Sequence, residues 1–243
     1  MASGATPFDL RGRVAVVTGG NGGIGLGMAR GLANAGALVA VAARNKEKSS
    51  SATRELRALG TEAIALDVDV ADEASVSAMV GETVAHWGRL DILVNNAGIN
   101  IRKPADELSL DEWRKVLDTN LTSAFLCARA AYPEMKRAGG GKIVNVGAFT
   151  AQKGAAQMGA YVAAKSAVVR LTETMAAELR DRNINVNCVL PTTIDTPENR
   201  AAMPKADPSR WVAPADLANV IVFLASDEAR AIHGAALPVT GLS

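Results

Sequence analysis

Short apolar runs alternate with longer segments of helical periodicity along almost the whole chain. The apolar runs occupy residues 14–18, 38–42, 63–68, 92–94, 142–146, 185–190 and 236–239. Most residues of these runs are apolar, on both faces of the run, which is typical of strands that are covered on both faces. Helical segments separate them, so the pattern predicts an α/β fold with a doubly wound, seven-stranded parallel sheet and helices on both faces.

Several helix ends carry their own signals. Asp72 is an expected N-cap, and Ser109 with Glu112 three residues later forms a capping box at the start of a long helix. Further helices are predicted over residues 161–180 and 214–225. No linker or repeat divides the sequence, so a single domain over residues 1–243 is expected, in which residues 198–211 form a substrate-side loop.

Composition narrows the class of protein. The 26 basic and 25 acidic residues give a net charge of +1, so no basic excess indicates a nucleic-acid partner. No apolar stretch approaches the ~20 residues that span a bilayer, and the N-terminus lacks the pattern of a signal peptide. The cytoplasm is therefore the expected location. The two histidines, His86 and His233, have no ligand cluster around them, and no metal site is expected.

A glycine-rich segment follows the first predicted strand. Residues 18–25 have the sequence TGGNGGIG and precede a predicted helix. Glycines at this position permit a tight turn and let the backbone approach a pyrophosphate, whose charge the helix N-terminus stabilises. The alternative is an ordinary structural turn. The motif predicts a dinucleotide site formed by Thr18, Gly19, Asn21, Gly23, Ile24 and Gly25.

The end of the second strand bears on which dinucleotide binds. NAD-dependent enzymes carry an acidic residue there that binds the ribose 2′-hydroxyl. This chain has Ala43 and Arg44 instead, which removes a carboxylate and supplies a guanidinium for a 2′-phosphate. NADP(H) is thus favoured over NAD(H), the alternative being that Arg44 is an ordinary exposed arginine.

Tyr161 and Lys165 are four residues apart on a predicted helix and so share one face. An ammonium near a phenol favours the phenolate, which predicts a lowered pKa for Tyr161. Such a tyrosine is suited to exchange a proton with a substrate oxygen.

With these features the chain resembles the short-chain dehydrogenase/reductase family over residues 11–239. The resemblance also rests on the motif NNAG at residues 95–98, on Asp69-Val70 and on residues 191–196. The resemblance implies a Rossmann-fold oxidoreductase with Tyr161, Lys165 and Asn120 as its catalytic residues and Asn120 holding a water. It also implies a homo-oligomer, a dimer or tetramer. Further cofactor contacts that it implies are Asp69, Val70, Asn95, Ala97, Gly98, Pro191, Ile194 and Thr196, besides Tyr161 and Lys165.

One position departs from the family pattern. The family places a serine thirteen residues before the tyrosine, where this chain has Ala148. Three explanations stay open: a substrate that does not need the serine hydroxyl, a substitute such as Thr150, or an engineered replacement. Ala148 and Trp211 are expected near the substrate.

The two halves resemble different branches of the family. The first half is similar to sugar-acid and 3-oxoacyl reductases, and the second half to dihydropteridine reductases, which also have alanine in place of the serine. The chain is therefore predicted to transfer hydride between a nicotinamide and a small-molecule substrate, either a carbonyl compound or a dihydropteridine-like one. The alternative is a cofactor-binding protein, or an engineered variant or fusion joined near residues 142–147, with weak or lost activity.

Overall fold

The computed structural model describes residues 7–242, which contain a seven-stranded sheet with every neighbouring pair parallel. The order is β3-β2-β1-β4-β5-β6-β7. The strands are β1 Val14–Thr18, β2 Leu38–Ala42, β3 Ala63–Leu66, β4 Ile92–Asn95, β5 Gly141–Val146, β6 Ile184–Pro191 and β7 Ala236–Val239. The expected seven-stranded, single Rossmann-like α/β domain is confirmed.

Helices cover both faces of this sheet. They are α1 Gly23–Asn34, α2 Lys46–Ala58, α3 Glu73–Trp87, α4 Leu110–Leu117, α5 Ser123–Arg137, α6 Gly159–Leu179, α7 Pro197–Ala202 and α8 Pro214–Ala225. Within residues 7–242, no helix combines the length and apolar character that a membrane crossing requires.

Alternation along the strands builds two separate cores. In β1, Ala15 and Val17 pack into one core with α1, α2 and α8, whereas Val14 and Val16 pack into the other with α3 and α5. All four side chains are fully buried. The apolar positions therefore fix the doubly wound arrangement, because each strand must be covered on both faces.

The predicted N-cap at Asp72 and the predicted capping box at Ser109 and Glu112 are confirmed. Asp72 accepts a hydrogen bond from Ser75 N at 2.6 Å at the start of α3. At the start of α4, Glu112 N donates to Ser109 Oγ at 3.2 Å and Ser109 N donates to Glu112 Oε2 at 3.0 Å, which completes the capping box.

Three predictions about the elements are wrong, and several other ends are shifted by one or two residues. The third strand ends at Leu66 rather than residue 68. The long helix after Ser109 is interrupted by a π-helical turn at Asp118–Thr122, which separates α4 from α5. The segment 198–211 is not a plain loop, since it contains most of α7 and a 3₁₀ turn at Pro208–Arg210.

Candidate active site

A cavity of about 490 Å³ lies at the carboxyl ends of the central strands. Val146 and Pro191, the last residues of β5 and β6, contribute to its wall. The sheet order changes direction between β1 and β4, and ligands of open α/β sheets bind beside such a switch point. Its lining residues are Ile24, Asn96, Gly98, Ile99, Asn100, Arg102, Asn120, Val146, Gly147, Ala148, Phe149, Thr150, Met158, Tyr161, Lys165, Pro191, Thr192, Thr193, Ile194, Asn199 and Met203.

The glycine-rich loop connects β1 to α1 next to this cavity. Gly19 has a φ of +65°, and a Cβ on Gly25 would lie 2.1 Å from Gly19 O, so neither position accepts a larger residue without rearrangement. α1 begins without a side-chain cap and without an acidic residue in its first turn. Around Gly22 and Gly23 a Cβ would meet no atom within 4 Å. The loop thus presents free backbone N–H groups to open space, as an anion site requires.

Two predicted cofactor residues of this loop have structural partners. The Thr18 hydroxyl accepts hydrogen bonds from Asn96 N at 3.0 Å and Ala97 N at 3.1 Å, which joins β1 to the segment after β4. Asn21 donates to Ser49 Oγ at 3.0 Å and thereby connects the loop to α2. Of the predicted loop residues, Ile24 lines the cavity.

Asn96 lies inside the NNAG motif, although it was not itself among the predicted cofactor contacts. Its Nδ2 donates to Thr18 O at 2.8 Å, and its buried Oδ1 has no hydrogen-bond partner among the described residues. An unpaired buried acceptor is costly, which makes Asn96 a candidate ligand contact. Its neighbour Asn95 instead donates to Asn145 Oδ1 at 2.9 Å inside the protein.

The ends of β2 and β3 carry the residues predicted to meet the adenosine end of the cofactor. Arg44 is exposed and has neither an ion pair nor a side-chain hydrogen bond within residues 7–242. The nearby carboxylate of Asp67 is paired with Lys46 at 3.1 Å. Asp69 is exposed and accepts a hydrogen bond from Ala71 N, while Val70 is buried. None of these residues lines the cavity.

α6 places Tyr161 and Lys165 on the cavity wall, with the Lys165 Nζ 5.8 Å from the centroid of the Tyr161 ring. Lys165 is 4% exposed, and its Nζ donates to Val146 O at 2.7 Å. Burial lowers the pKa of Lys165 to about 8, because the charged ammonium loses its hydration.

The predicted direction for the pKa of Tyr161 is wrong. Burial raises the pKa of its phenol, and the charge that opposes this effect belongs to Arg102 rather than to Lys165. Arg102, which the sequence analysis missed, lies four residues after Gly98, the last residue of the NNAG motif, in the loop that lines the cavity. Its position after the carboxyl end of a central strand is the signal that could have identified it.

Asn120 reaches the same cavity because of the π turn. Its Nδ2 donates to Val116 O and Ile99 O, both at 2.8 Å, and its buried Oδ1 has no partner among residues 7–242. A Cβ built on Gly98 would lie 2.6 Å from this Oδ1 and 3.5 Å from Lys165 Nζ. The unpaired acceptor and the buried ammonium therefore both lie next to Gly98, where a side chain would clash with Asn120.

The expected substrate-side residues divide into two groups. Ala148 lines the cavity and is 7% exposed, whereas Trp211 lies outside this lining, and its place near the substrate stays a prediction. Thr150 also lines the cavity, but its Oγ1 is buried without a partner in the described part of the chain. From the segment 198–211, Asn199 and Met203 form part of the wall.

The segment after β6 forms another part of the cavity wall. Pro191 and Ile194 line the cavity, while Thr196 caps α7 by accepting a hydrogen bond from Asn199 N at 3.2 Å. Among residues 7–242, no group of three or more His, Cys, Asp or Glu side chains is placed to hold a metal ion.

Comparisons with known proteins agree with this geometry. Residues 13–207 match the family model for short chain dehydrogenase. The chain is 41% identical over 238 residues to the cis-4-hydroxycyclohexanecarboxylate dehydrogenase of Sinomonas cyclohexanicum, with 94% of this chain and 95% of the relative covered. That match spans both halves, and so residues 142–147 need not mark a join.

Two solved structures have the same fold. A gluconate 5-dehydrogenase from Burkholderia cenocepacia J2315 in complex with NADP and tartrate superposes with a TM-score of 0.90 at 37% identity, covering 96% of each chain. An NAD⁺-bound xylitol dehydrogenase gives a TM-score of 0.89 at 30% identity, covering 96% of this chain and 99% of that one. The sugar-acid resemblance is confirmed, and the chain belongs to the short-chain dehydrogenase family.

Proposed function

We propose that the protein is an NAD(P)-dependent oxidoreductase that interconverts a secondary alcohol and its ketone, with NADP(H) favoured. The observation that carries the proposal is the convergence of Tyr161, Lys165 and Asn120 on one cavity beside the glycine-rich loop. A nicotinamide dinucleotide, when bound, supplies the hydride acceptor or donor. Its pyrophosphate would bind at the uncapped N-terminus of α1.

Each of the three side chains has a distinct task. Tyr161 gives a proton to the carbonyl oxygen during reduction and takes it back during alcohol oxidation. Lys165, whose buried Nζ lies 5.8 Å from the centroid of the Tyr161 ring, would bind the cofactor ribose beside Tyr161. The unpaired Oδ1 of Asn120 accepts a hydrogen bond from a water that would lie between it and Lys165, which connects Tyr161 to solvent.

The other predicted residues form the cofactor site. Gly19, Gly23 and Gly25 shape the loop, and Arg44 would pair with a 2′-phosphate because its guanidinium has no other partner in the described chain. The remaining contacts are Thr18, Asn21, Ile24, Asp69, Val70, Asn95, Ala97, Gly98, Pro191, Ile194 and Thr196. NADP and NAD⁺ are both bound by structural relatives, so cofactor kinetics decide the preference.

Turnover of a panel of ketones, hydroxy acids, polyols and quinonoid dihydropterin with NADPH and NADH tests this proposal. We expect ketone reduction with NADPH. Turnover of the dihydropterin alone would instead support a dihydropteridine-like substrate. Such a substrate would not need the serine hydroxyl that Ala148 lacks. Tight dinucleotide binding without turnover of any compound would support the cofactor-binding alternative.

A further inference from the structure

Arg102 is an unpaired cation on the substrate side of the cavity. It lines the cavity wall, is exposed, and has neither an ion pair nor a side-chain hydrogen bond within residues 7–242. By contrast, the next residue, Lys103, is paired with Glu112 at 2.5 Å and is not part of the cavity wall. Of these two adjacent cations, Arg102 therefore lies at the cavity without a partner, whereas Lys103 is neutralised by Glu112.

Its backbone is held on both sides. Ile99 O accepts a hydrogen bond from Asn120 Nδ2 at 2.8 Å, and Lys103 N donates to Gln157 O at 3.0 Å. Arg102 lies between these two anchors, so the loop that carries it is tied to both the π turn and the segment before α6. The guanidinium is also close enough to Tyr161 for its charge to lower the pKa of the phenol against the effect of burial.

The charged side chains that line the described cavity wall are all cations. Of the described lining residues, Arg102 and Lys165 are cationic and none is Asp or Glu. Lys165 is buried and donates to Val146 O, which leaves Arg102 as the cation that a ligand can reach. A planar guanidinium binds a carboxylate through two parallel hydrogen bonds.

We propose that the substrate is a hydroxy or oxo carboxylate and that Arg102 binds its carboxylate while the reacting carbon faces Tyr161. This inference rests on the proposed function and specifies its substrate class. Arg102 acts in substrate binding, and although its charge favours the Tyr161 phenolate, it does not itself exchange hydride or a proton with the substrate. A carboxylate near Arg102 would replace the partner that this side chain lacks in the protein.

The test compares two substrates of nearly the same shape, the anion cis-4-hydroxycyclohexanecarboxylate and its neutral carboxamide. Wild-type protein, Arg102→Gln, Arg102→Lys and the control Lys103→Gln are assayed with NADP⁺. For Arg102→Gln we expect kcat/KM on the carboxylate to fall by about 10-fold or more, chiefly through KM, with the carboxamide nearly unaffected. Arg102→Lys should recover part of the loss, and Lys103→Gln should behave as wild type.

Binding measurements keep the inference separate from the proposed function. Tartrate should bind the wild-type protein in calorimetry and lose affinity in Arg102→Gln, while the Kd for NADPH stays the same. Equal losses on both substrates, or unchanged tartrate binding, would overturn the role of Arg102. Absence of turnover of these compounds and of every ketone and alcohol in the panel by the wild type would contradict the proposed function, and the tartrate comparison would still decide whether Arg102 binds carboxylates.

Discussion

The buried ammonium of Lys165 should make the stability of the protein depend on alkaline pH. Burial lowers its pKa from 10.5 to about 8, and the unfolded chain recovers the ordinary value. Between these two pH values the unfolded state binds a proton that the folded state has lost, so the free energy of unfolding rises with pH across this window. Below pH 8 both states are protonated, and the folded state retains the full cost of the buried charge.

The size of the effect follows from the pKa difference. At about 1.4 kcal/mol per pKa unit, the shift from 10.5 to about 8 corresponds to about 3 kcal/mol. Most of this increase in the free energy of unfolding, about 2 kcal/mol, should occur between pH 7.5 and pH 10. Lys165→Met lacks the titrating group, so its loss of the hydrogen bond to Val146 O shifts stability by an amount that does not change with pH.

Urea unfolding at both pH values measures this directly. The stability of the wild type minus that of Lys165→Met should increase by about 2 kcal/mol on going to pH 10. Lys48→Met, at an exposed position, is the matched control and should run parallel to the wild type. Parallel behaviour of Lys165→Met and the wild type would refute the reasoning, because it would mean that the buried lysine titrates as it does in the unfolded chain.

Three further predictions concern substrate, cofactor and assembly. Ala148→Ser adds a hydroxyl to the cavity wall and should raise kcat/KM for a simple ketone by ~10-fold to ~100-fold, because it supplies a donor to the developing oxyanion. No gain on the ketone, together with wild-type turnover of dihydropterin, would favour the conjugated substrate. Arg44→Asp should reverse a preference for NADPH in kcat/KM, and better use of NADH by the wild type would contradict the assignment. Light scattering at micromolar concentration should give the mass of a dimer or tetramer rather than of a monomer.

The fold could be predicted because its signals are local. Each apolar run defined a strand, and β1, β2 and β7 have the bounds that their runs predicted. The capping box at Ser109 placed the start of α4 in the same way. Strand ends were less certain, since Val68 is buried as if it belonged to a strand although β3 ends before it.

The site was harder to predict because part of it depends on contacts between distant segments. The π turn left no mark on the apolar pattern, yet it brings Asn120 to Ile99 and to the wall of the cavity. Arg102 and Asn96 lie in a loop without periodicity, and only the folded structure shows which of their polar atoms lack partners. The pKa of Tyr161 likewise depends on burial, which sequence spacing does not report.

The role of Tyr161 is the central claim, and the substitution Tyr161→Phe tests it most directly because the ring stays and the hydroxyl is lost. Single-turnover reduction of a ketone that the wild type accepts would be followed with saturating NADPH, alongside the Kd for NADPH. The account predicts a fall in rate of ~100-fold or more with no change in Kd, since the hydroxyl carries the proton and the ring packs in either case. A rate within about tenfold of the wild type at unchanged Kd would contradict it.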